Sequence, residues 1–277
     1  MKIENLRFCS KVIALAIYVG ALPFLFCASA YAQENAGVKE ETREKVDLWE
    51  DYRKPVGLTY GVQARIQTSY LWRGLYCGGP NIQASANVGY GGLYFDAWWN
   101  IGVSDWTFHK FQPELDLTLG FNRWGLNIYA LYIHNFDTPF FDFGNSPDRT
   151  NRLELNAMYT LSSKIPLTFR WATRIAASDC YINASGEIVR AYSSYAEVSY
   201  TQQLRDGWSL YGAIGMTPWK GCYNANGAAL QNIEVRVRKD WELDHRCGLM
   251  VQGQVCVNPT APVDVLLTNI AFGVYLR

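Results

Sequence analysis

The sequence predicts an all-β fold, a transmembrane antiparallel up-and-down β-barrel of about 12 strands. Apolar and polar residues alternate with a period of two from Leu58 almost to the C-terminus. The connections between the alternating runs are short and long by turns, and aromatic residues gather where the runs end.

The N-terminus reads as export machinery. Lys2, Arg7 and Lys11 precede an apolar stretch from Val12 to Cys27, and the small residues Ala28-Ser29-Ala30-Tyr31-Ala32 follow. This is the pattern of a secretory signal peptide over 1–32, cleaved after Ala30-x-Ala32. Residues 33–56 form a charged arm, expected on the periplasmic side, in which Lys39-Glu40-Glu41-Thr42-Arg43-Glu44-Lys45 is its most polar part. Past Ala32 no run is apolar for long enough to make a spanning helix, so a helical membrane protein is excluded.

The barrel is expected over 57–277. Its first run, 58–72, sets Leu58, Tyr60, Val62, Ala64, Ile66, Thr68, Tyr70 and Trp72 against Thr59, Gly61, Gln63, Arg65, Gln67 and Ser69. Ile82, Ala84, Ala86, Val88 and Tyr90 then alternate with Asn81, Gln83, Ser85 and Asn87. Further strands are read at 93–103, 111–122, 126–135, 151–161, 165–177, 191–202, 208–217, 230–241, 247–258 and 265–276. Each has the length that a tilted strand needs to cross a bilayer.

Short turns fall at Tyr90-Gly91-Gly92, Arg123-Trp124-Gly125, Ser162-Ser163-Lys164, 203–207 and 242–246. Longer links lie at 73–79, 104–110, 136–150, 178–190, 218–229 and 259–264. A barrel in an outer membrane has tight periplasmic turns, longer external loops and an even strand number, which leaves both termini periplasmic. The aromatic residues, 15% of the chain, fit girdles at the two interfaces: Tyr60, Tyr70, Trp72, Tyr90, Phe121, Tyr132, Tyr159, Tyr200, Trp208 and Trp241. The mean hydropathy of −0.10 is what alternation averages to. With Lys+Arg 25 and Asp+Glu 25, the charge balance gives no support for nucleic-acid binding.

Ser69-Tyr70-Leu71-Trp72-Arg73-Gly74, followed by Gly79-Pro80-Asn81-Ile82-Gln83, resembles the opening of the TorF-like porin family. There an aromatic-rich strand ends in Arg-Gly and a Pro-x-x-Gln begins the next, which makes Arg73, Gly74, Pro80 and Gln83 the family motif. Gly92-Leu93-Tyr94-Phe95-Asp96-Ala97-Trp98 and Glu114-Leu115-Asp116-Leu117-Thr118-Leu119-Gly120-Phe121 are similar to the family's third strand and its Glu-x-Asp strand. The resemblance spans roughly residues 60–135. It implies a barrel in the bacterial outer membrane and a pore, and it names no substrate.

The alternation points Arg65, Arg152, Arg170, Arg174, Arg236 and Arg238 into the lumen, together with Asp96, Glu114, Asp116, Glu154, Glu197 and Glu234. Buried charges need water or partners, so the lumen is either a narrow aqueous pore or a barrel filled by paired side chains. The arginine rungs either attract anionic solutes or neutralise the glutamates on adjoining strands. Cys77, Cys180 and Cys222 fall in external loops and Cys256 near the external end of its strand. In an exported protein they are disulfide candidates, and neighbouring loops suggest Cys180 with Cys222 and Cys77 with Cys256.

Enzymatic function is not expected. None of His109, His134 and His245 has a serine two residues away in a strand, as a barrel-borne phospholipase would need, and His134 has the parity of the lipid face. No His/Cys grouping has metal-ligand spacing, and no cofactor is called for. The expected function is an outer-membrane, porin-like channel for passive diffusion of small hydrophilic solutes, with membrane lipid and those solutes as its partners. The alternative is a plugged structural or surface-interaction barrel whose loops bind a partner. Phe136, Phe140, Phe141 and Phe143 would serve that role, or fold inward as a pore constriction.

Overall fold

The structure, a computed structural model, describes residues 57–102, 113–144, 146, 150–224, 226–262 and 265–276. The predicted signal peptide and the charged arm lie outside the described residues.

The strands in chain order are β1 (Thr59–Gln67), β2 (Tyr70–Trp72), β3 (Leu75–Gly78), β4 (Asn81–Tyr90), β5 (Leu93–Gly102), β6 (Glu114–Arg123), β7 (Leu126–His134) and β8 (Arg152–Thr160). They continue as β9 (Leu167–Ala177), β10 (Cys180–Ile182), β11 (Ile188–Arg190), β12 (Ser194–Gln203), β13 (Trp208–Thr217), β14 (Ala229–Glu242), β15 (Cys247–Val257) and β16 (Leu266–Leu276). Twelve of these strands close into one antiparallel barrel, each paired with its chain neighbour in the wall, and β1 seals the ring by pairing with both β4 and β16. A closed ring leaves no strand edge with unpaired amides, which is the condition for crossing lipid with strands.

The side-chain period places the faces as expected. Gln63, Arg65 and Gln67 point inward along β1, while Ile66, on the outer face, is 57% exposed. Leu119, Ile128, Ile214, Phe272 and Val274 are likewise exposed on the outer wall. In water an apolar surface spread over a whole barrel would be untenable, since each such side chain gains about 1.5–3 kcal/mol by leaving it. The polar side chains Asn81, Gln83, Asn156, Asn232 and Asn269 are buried inside. The polarity is that of a soluble barrel turned inside out.

The turn rim carries an aromatic belt in which Tyr60, Tyr90, Trp124, Trp208 and Trp241 are exposed. Tight turns at this rim need left-handed backbone, supplied by Gly91 and Gly92 and by Trp124-Gly125.

Two regions depart from the expected layout. The first barrel strand ends at Gln67, and Tyr70 and Trp72 belong to a separate β2–β3 hairpin instead of continuing the wall into an aromatic girdle. Their alternation is that of a strand, but of the hairpin and not of the wall. Tyr132, expected in a girdle, is buried beneath the 136–144 segment.

Candidate functional site

The β2–β3 hairpin lies inside the lumen, and its contacts reach nearly every part of the wall. Tyr70 donates a 2.6 Å hydrogen bond to Glu114 on β6, and its ring lies 5.5 Å from Trp98 of β5. Trp72 and Leu75 pack against a buried cluster of Ala172, Tyr195 and Tyr223. At the tip, Arg73 donates from Nη1 and Nη2 to the two carboxylate oxygens of Glu154 on β8, both at 2.7 Å. It also donates to Asn156 at 3.2 Å and to the Tyr223 hydroxyl.

The Arg73 guanidinium sits between aromatic faces, 4.4 Å from the Trp72 centroid and 4.9 Å from that of Tyr195. Planar, two-pronged pairing and stacking together are what a guanidinium does and an ammonium cannot. Both partners are almost wholly enclosed, with side-chain exposures of 4% and 1%. The neighbouring Arg positions read the same contacts, since Arg174 lies 5.2 Å from the Tyr223 centroid.

The backbone of the tip is held as firmly as its side chain. Gln231 donates to the Arg73 carbonyl at 3.0 Å, and Asn258 to the Gly74 carbonyl at 2.9 Å. Gly74 has φ 78°, and a Cβ there would run into the carbonyl of Gln231. Only glycine fits both the dihedral and the space. The 218–228 loop contributes Tyr223, so two of the longer links meet inside the lumen on the side away from the tight turns.

Below the hairpin the lumen opens into a vestibule of about 900 Å³ that runs down to Thr59, Tyr60 and Tyr275 at the turn rim. Arg65, Arg170, Arg238, Asp96 and Asp116 line it. A smaller polar space of about 90 Å³, room for a few water molecules, lies between the hairpin and the wall of β14, β15, β16 and β1. It shares Arg65, Tyr70 and Leu71 with the vestibule and adds Gln67, Arg236, Gln252, Gln254 and Asn269.

The remaining inward charges divide by height. Glu154, Arg174, Glu197 and Glu234 are buried. Arg152 is half-buried, with its Nε lacking a hydrogen-bond partner. Arg170 reaches Glu197 at 3.8 Å, Arg236 pairs with Glu234, and Arg238 bonds Asp240 at 2.7 Å. Of these pairs Arg170–Glu197 joins adjoining strands, and the other two lie within β14. Of the motif residues, Arg73 and Gly74 form the hairpin tip and Pro80 is exposed where the hairpin returns to the wall. Gln83 accepts from Arg65 Nε at 2.7 Å and donates to Asn100 at 3.3 Å.

The 136–144 segment neither projects from the barrel nor enters it. It folds back over the outer wall, where Phe136 stacks on Trp99 and Phe140, Phe141 and Phe143 surround Tyr132. His134, only 3% exposed, lies beneath Phe136 and Phe140. Asn151 donates its amide to the carbonyls of Pro139 and Asp142, which leaves Oδ1 to accept from His134 Nδ1 at 2.8 Å. The pair ties the aromatic segment to the wall. The Tyr132 hydroxyl lies 3.5 Å from His134 Nδ1.

Among the described residues Cys77 and Cys222 are exposed, Cys180 and Cys247 are partly exposed and Cys256 is buried, and no disulfide joins them. Cys256 lies at the end of β15 away from the tight turns and points inward, buried 3.1 Å from Asn232 Oδ1.

No family model and no curated protein sequence matches the chain, so the likeness to TorF-like porins rests on its motif residues alone. Among solved structures the chain is similar to the KdgM porin, with TM-score 0.44 and 8% identity over 78% of this chain and 98% of that one. It is also similar to the NanC porin, with TM-score 0.44 and 8% identity over 79% of this chain and 100% of that one. An outer membrane channel from Pseudomonas putida F1 shares 15% identity at TM-score 0.43, over 82% of this chain and 98% of that one.

Proposed function

We propose that this chain is a bacterial outer-membrane channel for passive diffusion of small hydrophilic solutes, narrowed by its own first external loop, with both termini periplasmic. The observation that carries this reading is the charge-lined vestibule of about 900 Å³, adjoined by a polar space beside the hairpin. A barrel that served only as an anchor would gain stability by filling this volume with packed side chains, because unpaired charge facing an enclosed lumen is costly. The tight turns mark the periplasmic rim and the long links the external one.

A plugged barrel with a structural or surface-binding role is the second reading. The enclosed Arg73–Glu154 contact favours it. Conductance of the purified, folded protein in a planar lipid bilayer separates the two. Small, discrete openings are expected, and a barrel that stays electrically silent while its folding is verified would sink the channel.

A further inference from the structure

Within the vestibule, protein partners compensate some charges and leave others bare. Arg170 and Arg238 have acidic partners in Glu197 and Asp240. Arg65 has none. It directs Nε and one Nη at the single carbonyl oxygen of Gln83, and its other donors have no protein partner among the described residues. On the β5–β6 wall, Asp96 faces Thr118 and Trp98 faces Asp116 across the ladder. The two carboxylates are thus diagonal neighbours, about 7–8 Å apart at the backbone, with no base in ion-pair range among the described residues. Asp116 Oδ1 is buried and has no hydrogen-bond donor.

The surroundings of these carboxylates are aromatic. Tyr94 and Trp98 flank Asp96 on the inward face of β5, and Tyr129 lines the same vestibule from β7. A carboxylate pair set among π-faces suits an ammonium, which gains from both. Arg65 stands on β1, two strands from Asp96 and three from Asp116 and level with Asn100, four residues along β5 from Asp96, so about 16 Å separate the backbones, and its long side chain offers free guanidinium donors to a carboxylate from across the vestibule.

We infer that the vestibule is a binding site for small zwitterions, with the solute's ammonium at Asp96 and Asp116 and its carboxylate at Arg65. The inference rests on the lumen being open to solutes, as the proposed function holds. A solute with both charges neutralises both walls at once, whereas a neutral sugar meets two bare charges and a singly charged solute leaves one wall unmatched.

The test uses the full exported chain folded in detergent, with Trp98 and Trp72 as intrinsic fluorescent reporters in the vestibule. Four probes of similar size are titrated: dialanine, its N-acetyl derivative, its C-terminal amide, and glucose. Dialanine is expected to bind about tenfold more tightly than each of the other three. In Asp96→Asn/Asp116→Asn its affinity is expected to fall to that of the N-acetyl derivative, and in Arg65→Gln to that of the amide. Glucose or either single-charge analogue binding as well as dialanine to the unaltered protein overturns the site, and so does a lack of binding by any probe. The comparison on unaltered protein decides the matter even where a variant fails to fold. Zwitterion binding with electrical silence would strike conduction and leave the site standing; open conductance without zwitterion preference would do the reverse.

Discussion

Arg73 and Glu154, 81 residues apart in the chain, meet across the lumen in a two-pronged ion pair with both contacts at 2.7 Å. One belongs to an inward-folded loop and the other to the wall, so this contact holds the hairpin in place. A buried pair is costly to break from one side, because the remaining charge keeps its desolvation without its partner.

Arg73→Ala is expected to lower the unfolding free energy in detergent by about 3–5 kcal/mol and to raise single-channel conductance as the hairpin undocks. Arg73→Ala/Glu154→Gln should recover part of the stability and none of the constriction. Urea titration and bilayer recordings on the same preparations measure both. An unchanged conductance in the single variant would show that the hairpin does not limit the pore.

Gly74→Val acts on the same latch through the backbone. A side chain at φ 78° costs about 1–3 kcal/mol, and its Cβ meets the Gln231 carbonyl. Faster amide exchange over 69–79 than in the parent protein is the expected reading, with the twelve wall strands still protected.

The Asn151–His134 pair makes a contrasting prediction, because it clamps a segment outside the lumen. Asn151→Ala should open 136–144 to proteolysis while leaving conductance as it was. A change in conductance would mean that the aromatic segment influences the pore after all.

Cys256 points into the wall of the lumen beside Asn232 and is 1% exposed. A maleimide reagent is expected to leave it unmodified in the folded barrel and to label it fully after unfolding. Labelling of Cys256 in the folded barrel would contradict the inward placement.

Asp244 sits in the turn between β14 and β15 and accepts backbone hydrogen bonds from Arg246 at 2.6 Å and Cys247 at 2.9 Å. Those donors favour the ionised carboxylate and hold its pKa below the ordinary aspartate value of 3.8. A folded-state pKa that is depressed contributes stability above the unfolded pKa, and the contribution is lost as pH falls through the folded one. Asp244→Asn should therefore be less stable than the parent above about pH 4, with the difference closing as the pH drops further. Urea midpoints across the acid range follow it.

The legible part of this protein was its wall. The period of two along β1, β4 and β6 sorted Arg65, Gln83 and Asp116 inward without any knowledge of neighbours, because successive residues of a strand must face opposite ways. The Arg73-Gly74 motif was visible too, but its position was not. Tyr70 and Trp72 continue the alternation of β1, and a hairpin packed between two walls of a lumen has the same two-faced pattern as a strand between lipid and water. The aromatics of 136–144 carried a similar ambiguity, since lipid-facing, lumen-facing and partner-facing loops all favour phenylalanine.

By itself the sequence determined the number of wall strands, their inward and outward faces, and which rim bears the tight turns. These follow from local rules: side-chain alternation, strand length and turn chemistry. The tertiary structure alone decided that the first loop enters the barrel, that Arg73 meets Glu154, and that His134 lies under a folded-back segment. Those placements rest on contacts between residues far apart in the chain, such as Asn258 with Gly74 at a separation of 184. No local pattern encodes them, because the partner becomes a neighbour only once the ring has closed.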